Sequence, residues 1–109
     1  MALAAMSTRV DRNRTFLQLL LTTHLSQQKA LLDTASPQQI DLISELLYNI
    51  LYVVPLSEKE RKSLQRKRFL KDVSKIKRSA NFRRKKVRAR KAELLKLLHQ
   101  YSKNILSLL

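Results

Sequence analysis

The sequence contains no cysteine and no glycine among its 109 residues. Without cysteine the chain can form no disulfide, thiolate metal site or cysteine nucleophile, and this absence is typical of proteins from reducing compartments. Without glycine it lacks the residue whose positive φ lets P-loops and dinucleotide-binding turns approach phosphates. The two absences exclude disulfide-stabilised mini-proteins and nucleotide-binding enzymes of those two classes.

Proline, aromatic residues and β-branched strand formers are scarce. The chain has two prolines, 6% aromatic residues, and five residues each of valine and isoleucine, against 22 leucines. Leucine keeps its rotamer freedom in helices, whereas sheets favour β-branched and aromatic residues. Chains divide into several cores only at about 250 residues. We therefore predict one all-α domain.

No apolar stretch is long enough for a membrane span. Residues 1–6 are apolar, as are residues 16–21 apart from Gln18, but both stretches are far shorter than the ~20 residues that a spanning helix needs. The first stretch also lacks the basic start of a signal peptide. We expect a soluble or peripheral protein.

The positive charge is confined to the second half of the chain. Residues 1–56 carry four basic and four acidic side chains, whereas residues 57–109 carry 19 basic and four acidic ones, which gives the net charge of +15. Such a density repels itself and is relieved most easily by a polyanion, nucleic acid first and an anionic membrane surface second.

Apolar spacing and capping residues predict a small bundle of about five helices. A serine cap, a proline in the first turn and a glutamine at the capping-box position make the start at Ser36 the clearest boundary. Asn13, Ser26 and Ser57 are the other predicted N-caps. The predicted helices cover about residues 13–23, 26–34, 36–54, 57–78 and 82–106, the last being a long basic helix. The predicted organisation is a flexible N-terminus (1–12), a neutral helical core half (13–56) and a basic helical half (57–109).

The sequence offers little for catalysis. The two histidines, His24 and His99, have no carboxylate or serine at a spacing typical of a triad or of a zinc-binding pair. The eight acidic residues are accounted for as helix caps and i to i+4 partners. We expect no enzymatic activity, no cofactor or metal, and no small-molecule substrate.

The basic residues between positions 66 and 91 have the composition of a phosphate-binding surface. Lysine and arginine at this density neutralise phosphates and release counterions, so affinity depends on salt and little on base sequence. Phe69 and Phe82 are the only aromatic residues near them and are predicted to pack inward, which favours duplex backbone over stacked single strands. The main predicted contacts are Arg83, Arg84, Lys85, Lys86, Arg88, Arg90 and Lys91. Further contacts are predicted at Arg66, Lys67, Lys71, Lys75, Lys77 and Arg78.

Part of this region also fits the lysine-rich pattern of nuclear import signals. The pattern is formed by Lys85, Lys86 and Arg88, although any tract this basic can match it by chance.

Leucines near the C-terminus form a seam with an alternating spacing of four and three. Its members are Leu94, Leu98, Tyr101, Ile105 and Leu108. The seam could close the bundle or join two copies of the chain. As part of a basic amphipathic helix it could instead lie on an anionic membrane surface, or dock into a partner's groove.

Five short segments ahead of the basic helices resemble small basic proteins of adintoviruses and Maverick (Polinton) elements, which are invertebrate DNA viruses and virus-like transposons. The segments are LLL at 19–21, QKALL at 28–32, TASPQQI at 34–40, NIL at 49–51 and VPLS at 54–57. The resemblance spans about residues 16–91 and implies a virion-associated core protein, similar in role to the condensing core proteins of adenoviruses. The family's apolar tail contains glycine, whereas residues 92–109 contain none, so the tail's function is not carried over.

The residues and the resemblance together predict a virion core protein that binds and condenses nucleic acid without sequence preference. Double-stranded DNA is the expected partner, and the virion and the host nucleus are the expected locations. The alternatives are a membrane-active protein that acts through its C-terminal helix and a homo-oligomeric helical scaffold.

Overall fold

In the computed structural model, which describes residues 11–106, the chain is all-α. The described residues form eight helices and no strand. Their bounds are α1 Arg14–Thr22, α2 Leu25–Asp33, α3 Pro37–Tyr52, α4 Glu58–Gln65, α5 Arg68–Ser74, α6 Ala80–Ala89, α7 Lys91–Gln100 and α8 Ser102–Leu106. The all-α prediction is confirmed and the number of five helices is wrong. Most of the predicted flexible N-terminus, residues 1–10, lies outside the described residues.

Serine caps begin three of the helices. At α3 the Ser36 hydroxyl accepts from the backbone N–H of Gln39 at 3.1 Å, and the Gln39 side chain accepts from the Ser36 N–H at 2.9 Å, which completes the capping box. Ser57 and Ser79 each accept one N–H of the following turn, at 3.1 Å. Asn13 is the N-cap residue of α1, as predicted, but its side chain makes no capping hydrogen bond. The predicted cap at Ser26 is wrong, because α2 begins at Leu25 and its N-cap is His24.

Two predicted long helices are broken, at Lys67 and at Arg90. Lys67 is extended at φ −80° and ψ 101°, and Arg90 leaves the helical region at φ −129° and ψ 36°. A straight helix over residues 82–106 would be near 37 Å long, whereas the longest dimension of the molecule is 34 Å. The long basic C-terminal helix is therefore three shorter ones, bent to follow the core. No described residue has a positive φ, as befits a chain without glycine.

Helix α3 is the centre of the core. It packs against α4, α5 and α6, most extensively against α5. Ile40, Ile43, Leu47 and Ile50 on α3 are buried, as their spacing predicts. Burial of one such side chain stabilises the fold by about 2 kcal/mol. Helices from both halves of the chain thus share one core.

The C-terminal seam belongs to this core. Leu94, Leu98, Tyr101 and Ile105 are between 0% and 4% exposed, and Leu108 lies outside the described residues. A side chain buried in its own monomer is not at the surface for a second copy or a bilayer. The prediction of an oligomer or membrane seam is corrected at these four positions. Within the described part of the chain, no helix is both long and apolar enough to cross a membrane.

Candidate nucleic-acid interface

The basic run, residues 83–91, begins with a buried arginine. The Arg83 side chain is 4% exposed, and its Nη2 donates to Asp41 Oδ1 at 2.8 Å. Its Nη1 donates to Ser44 Oγ at 2.7 Å and its Nε to the Arg78 carbonyl at 3.0 Å. The prediction of Arg83 as a phosphate contact is corrected, because its guanidinium is enclosed and fully engaged.

Three further members of the basic run bind the neutral half of the chain. Arg84 donates to the Ala35 carbonyl at 3.0 Å, and Arg88 donates to the Asp33 carbonyl at 2.5 Å. Lys91 Nζ lies 2.9 Å from both carboxylate oxygens of Asp33. These bonds fasten α6 and α7 to the end of α2, so they contribute to the fold.

The remaining members of the basic run differ in their partners. Lys86 Nζ lies 3.8 Å from Asp72 Oδ2, and Arg90 Nη1 lies 3.3 Å from Glu93 Oε1. Lys85 is exposed and has no partner among the described residues. The import candidate of Lys85, Lys86 and Arg88 therefore lies within α6 and includes two residues that already have partners.

A cleft of about 310 Å³ is lined by cations from the α4–α5 junction, from α5 and from the loop that follows α5. Five basic side chains surround it together with one amide and one carboxylate. The lining residues are Gln65, Arg66, Arg68, Lys71, Asp72, Lys75 and Arg78. The carboxylate, Asp72, is nearly buried and already lies near Lys86. The cleft thus carries an excess of positive charge, which the protein's own carboxylates leave largely unneutralised.

We call six basic residues in and beside this cleft the cationic face. They are Arg66, Arg68, Lys71, Lys75, Lys77 and Arg78. The first five have no side-chain hydrogen bond or ion pair with another described residue, and the Arg78 guanidinium lies 4.9 Å from the centre of the Phe82 ring. Five of the six were predicted as further contacts, and Arg68 was missed.

Two features of the backbone position this face. The helix breaks at Lys67, so Arg66 lies at the end of α4 and Arg68 at the start of α5, on either side of the bend. The loop at residues 75–79 is held to α3 by Arg83, which donates to the Arg78 carbonyl and to Asp41. Arg83 therefore supports the loop that carries the last three cations.

Lys67, one of the six further contacts predicted from the sequence, lies away from the cationic face. Its Nζ lies 3.1 Å from Glu93 Oε2, and it lines a separate cleft beside Tyr101. It is therefore not part of the cationic face.

The tyrosine pair, Tyr48 and Tyr52, was missed by the sequence analysis. The two residues are 44% and 45% exposed on α3. With Ile76 they line a hollow of about 660 Å³, whose rim includes Lys75, Lys77 and Arg78. Their spacing of four residues on a leucine-rich helix was the available signal.

The two histidines lie apart, and neither is placed in a catalytic triad or a metal site among the described residues. His99 Nε2 lies 3.1 Å from Gln28 Nε2, and His24 is exposed at the start of α2. Between residues 11 and 106, no group of three or more histidine or acidic side chains is placed to hold a metal ion.

Comparisons of the chain with protein families, curated proteins and solved structures find no match. The resemblance to adintovirus and Maverick proteins stays a prediction.

Proposed function

We propose that the protein binds nucleic acid, double-stranded DNA in the first place, through the phosphate backbone at the cationic face. It acts as a binding protein and not as an enzyme. The observation that carries this proposal is the cleft in which five basic side chains meet a single carboxylate. Phosphates supply the negative charge that the protein itself does not place there.

The proposed binding is electrostatic and independent of base sequence. Each phosphate contact releases condensed counterions, so the logarithm of the affinity falls linearly with the logarithm of the salt concentration, by about 0.9 per contact. Six contacts at the cationic face correspond to a slope of about −5. Exposed cations outside the face, such as Lys85, add to the attraction at long range.

The biological role we propose is condensation of DNA in a virion core. Its basis is the net charge of +15 on a chain of only 109 residues, together with the resemblance to adintovirus and Maverick proteins. The virion and the host nucleus are the corresponding proposed locations.

The test is binding of the full chain to a random-sequence DNA duplex over a series of salt concentrations. We expect a straight double-logarithmic plot with a slope of about −5 and equal affinity for duplexes of unrelated sequence. A slope near zero, or strong preference for one sequence, would contradict the proposal. The same titration on an RNA duplex measures the preference for DNA.

The membrane alternative requires an exposed apolar face on the C-terminal helices. In this fold Leu94 and Leu98 of that face are buried. We expect no dye release from anionic liposomes at protein concentrations that saturate DNA. Dye release by the full chain at those concentrations would favour the alternative.

A further inference from the structure

The tyrosine pair is an exposed aromatic surface on a helix that otherwise buries its large apolar side chains. The two ring centres lie 5.0 Å apart, with the ring planes at 45°. Ile76, which is 41% exposed, lies in the same hollow. Exposed rings beside an exposed isoleucine leave apolar surface in water, which a flat ligand could cover.

This aromatic hollow adjoins the cationic cleft. Lys75 and Arg78 line both of them. A ligand that places phosphates over the cleft therefore has the tyrosine rings within reach of its neighbouring groups. Lys77 adds a third cation to the rim of the hollow.

Nucleic acid offers both parts of such a ligand when its bases are unpaired. Stacking of a base on an aromatic side chain contributes about 1–3 kcal/mol, and every base has a face that can stack. In a duplex the base faces are already stacked on one another, so a protein ring at the surface cannot reach them without disrupting the helix. An aromatic surface beside phosphate-binding cations thus distinguishes single strands from duplexes.

We propose that the tyrosine pair is a base-stacking site, so that single-stranded nucleic acid binds with its phosphates at the cationic face and one or two bases on Tyr48 and Tyr52. The inference rests on the proposed function, because it uses the same cations. It adds a second mode of binding in which duplex ends, gaps and unpaired segments are held more tightly per phosphate than continuous duplex.

The test compares variants of the full chain on a short single-stranded DNA and on a duplex of equal phosphate number. Replacing both tyrosines with alanine, a good helix former, should weaken single-strand binding by at least about fivefold, the equivalent of one stacked base. Duplex affinity and the salt slope should stay unchanged, because no charge is removed. The double phenylalanine variant keeps the rings and should bind the single strand like the original protein.

Two controls separate the possible failures. Leu19 and Leu25 are exposed apolar residues outside the hollow, and replacing both with alanine should leave single-strand binding unchanged. If the double tyrosine variant binds single strands as tightly as the original protein while duplex binding persists, the stacking site is wrong and the proposed function stands. If the original protein binds neither nucleic acid, both proposals are wrong.

Discussion

Arg83 and Lys85 are two residues apart in one basic run and have opposite roles. The Arg83 guanidinium is buried and donates to Asp41, Ser44 and the Arg78 carbonyl. Lys85 is exposed without a partner among the described residues. The sequence did contain a signal for this difference. Arg83 lies one helical turn before Val87, an apolar residue seven positions ahead of Leu94, and so shares its face.

Replacing Arg83 with methionine should therefore cost far more stability than replacing Lys85 with methionine. The first change removes the donor of the hydrogen bonds to Asp41, Ser44 and the Arg78 carbonyl, at a cost of about 2 kcal/mol. The second removes an exposed cation and should change the free energy of unfolding by less than about 0.5 kcal/mol. Urea unfolding of both variants measures the difference. Equal effects of the two changes would contradict the assigned roles.

Tyr101 couples the C-terminal part of the chain to α4 in a way that depends on pH. Burial, together with the hydroxyl's hydrogen bond to Glu60 and the charge of that carboxylate, raises the pKa of Tyr101 from 10.0 to about 12. The folded state therefore holds the phenol proton more tightly than the unfolded state does. The stability that the protonated Tyr101 contributes to the fold is fully present below pH 10. It is lost as the pH rises from 10 towards 12.

We expect replacement of Tyr101 with phenylalanine to remove part of this alkaline sensitivity. The variant should be less stable than the original protein at neutral pH, because it lacks the charge-assisted hydrogen bond, by about 2 kcal/mol. The gap between the two proteins should narrow between pH 10 and pH 12. Urea unfolding at a series of pH values tests this, and a gap that stays constant up to pH 12 would contradict the pKa assignment.

Among the helices, the starts at Ser36 and Ser57 were predictable, whereas the start of α2 and the breaks within the two long helices were not. Ser36 and Ser57 are recognisable in the sequence because capping is a local interaction. The breaks at Lys67 and Arg90 have no proline or glycine to mark them. A straight helix over residues 82–106 would exceed the longest dimension of the molecule, so the chain bends at Arg90. Lys67 and Arg90 both contact Glu93, at 3.1 Å and 3.3 Å.

Side chains of α4 donate hydrogen bonds to backbone carbonyls at the C-terminal end of α3. The last carbonyls of a helix have no partner within it. Arg61 on α4 donates to the carbonyls of Leu51 and Val54, and Gln65 donates to Leu51 at 3.1 Å. The positive guanidinium also lies where the helix dipole favours a cation.

Replacement of Arg61 with alanine should consequently destabilise the fold by about 1–2 kcal/mol, since two backbone carbonyls lose a charged donor. Lys62 is the matched control. Among the described residues the Lys62 side chain pairs with Glu58 alone, and both side chains are more than 60% exposed. Its replacement with alanine should therefore cost less than about 0.5 kcal/mol. Thermal unfolding of the two variants compares them directly. Similar losses from both would contradict the capping role of Arg61.

The chain divides into a neutral and a basic half by charge, but its core does not divide at the same point. The neutral and basic halves were visible in the sequence as a difference in composition. In the structure they share one core, and ion pairs such as Arg83 with Asp41 and Lys91 with Asp33 join them. A count of charges along the chain could not separate cations that build the fold from cations that remain available, because that distinction depends on contacts between distant residues.

If the cationic face is the binding surface, its cations contribute more to DNA binding than unpaired cations elsewhere on the molecule. Two triple variants test it, each of which removes three positive charges that have no partner among the described residues. One replaces Arg66, Lys71 and Lys75 of the cationic face with glutamine. The other replaces Lys59, Lys96 and Lys103, which lie outside it.

The deciding measurement is the slope of log affinity against log salt for each triple variant on duplex DNA. The face variant should lose about 2.7 from the magnitude of the slope, which corresponds to three phosphate contacts. The control variant, with the same net charge, should keep a slope close to that of the original protein. Equal slopes for the two variants would mean that net charge alone attracts the DNA, and would contradict a binding surface at the cationic face.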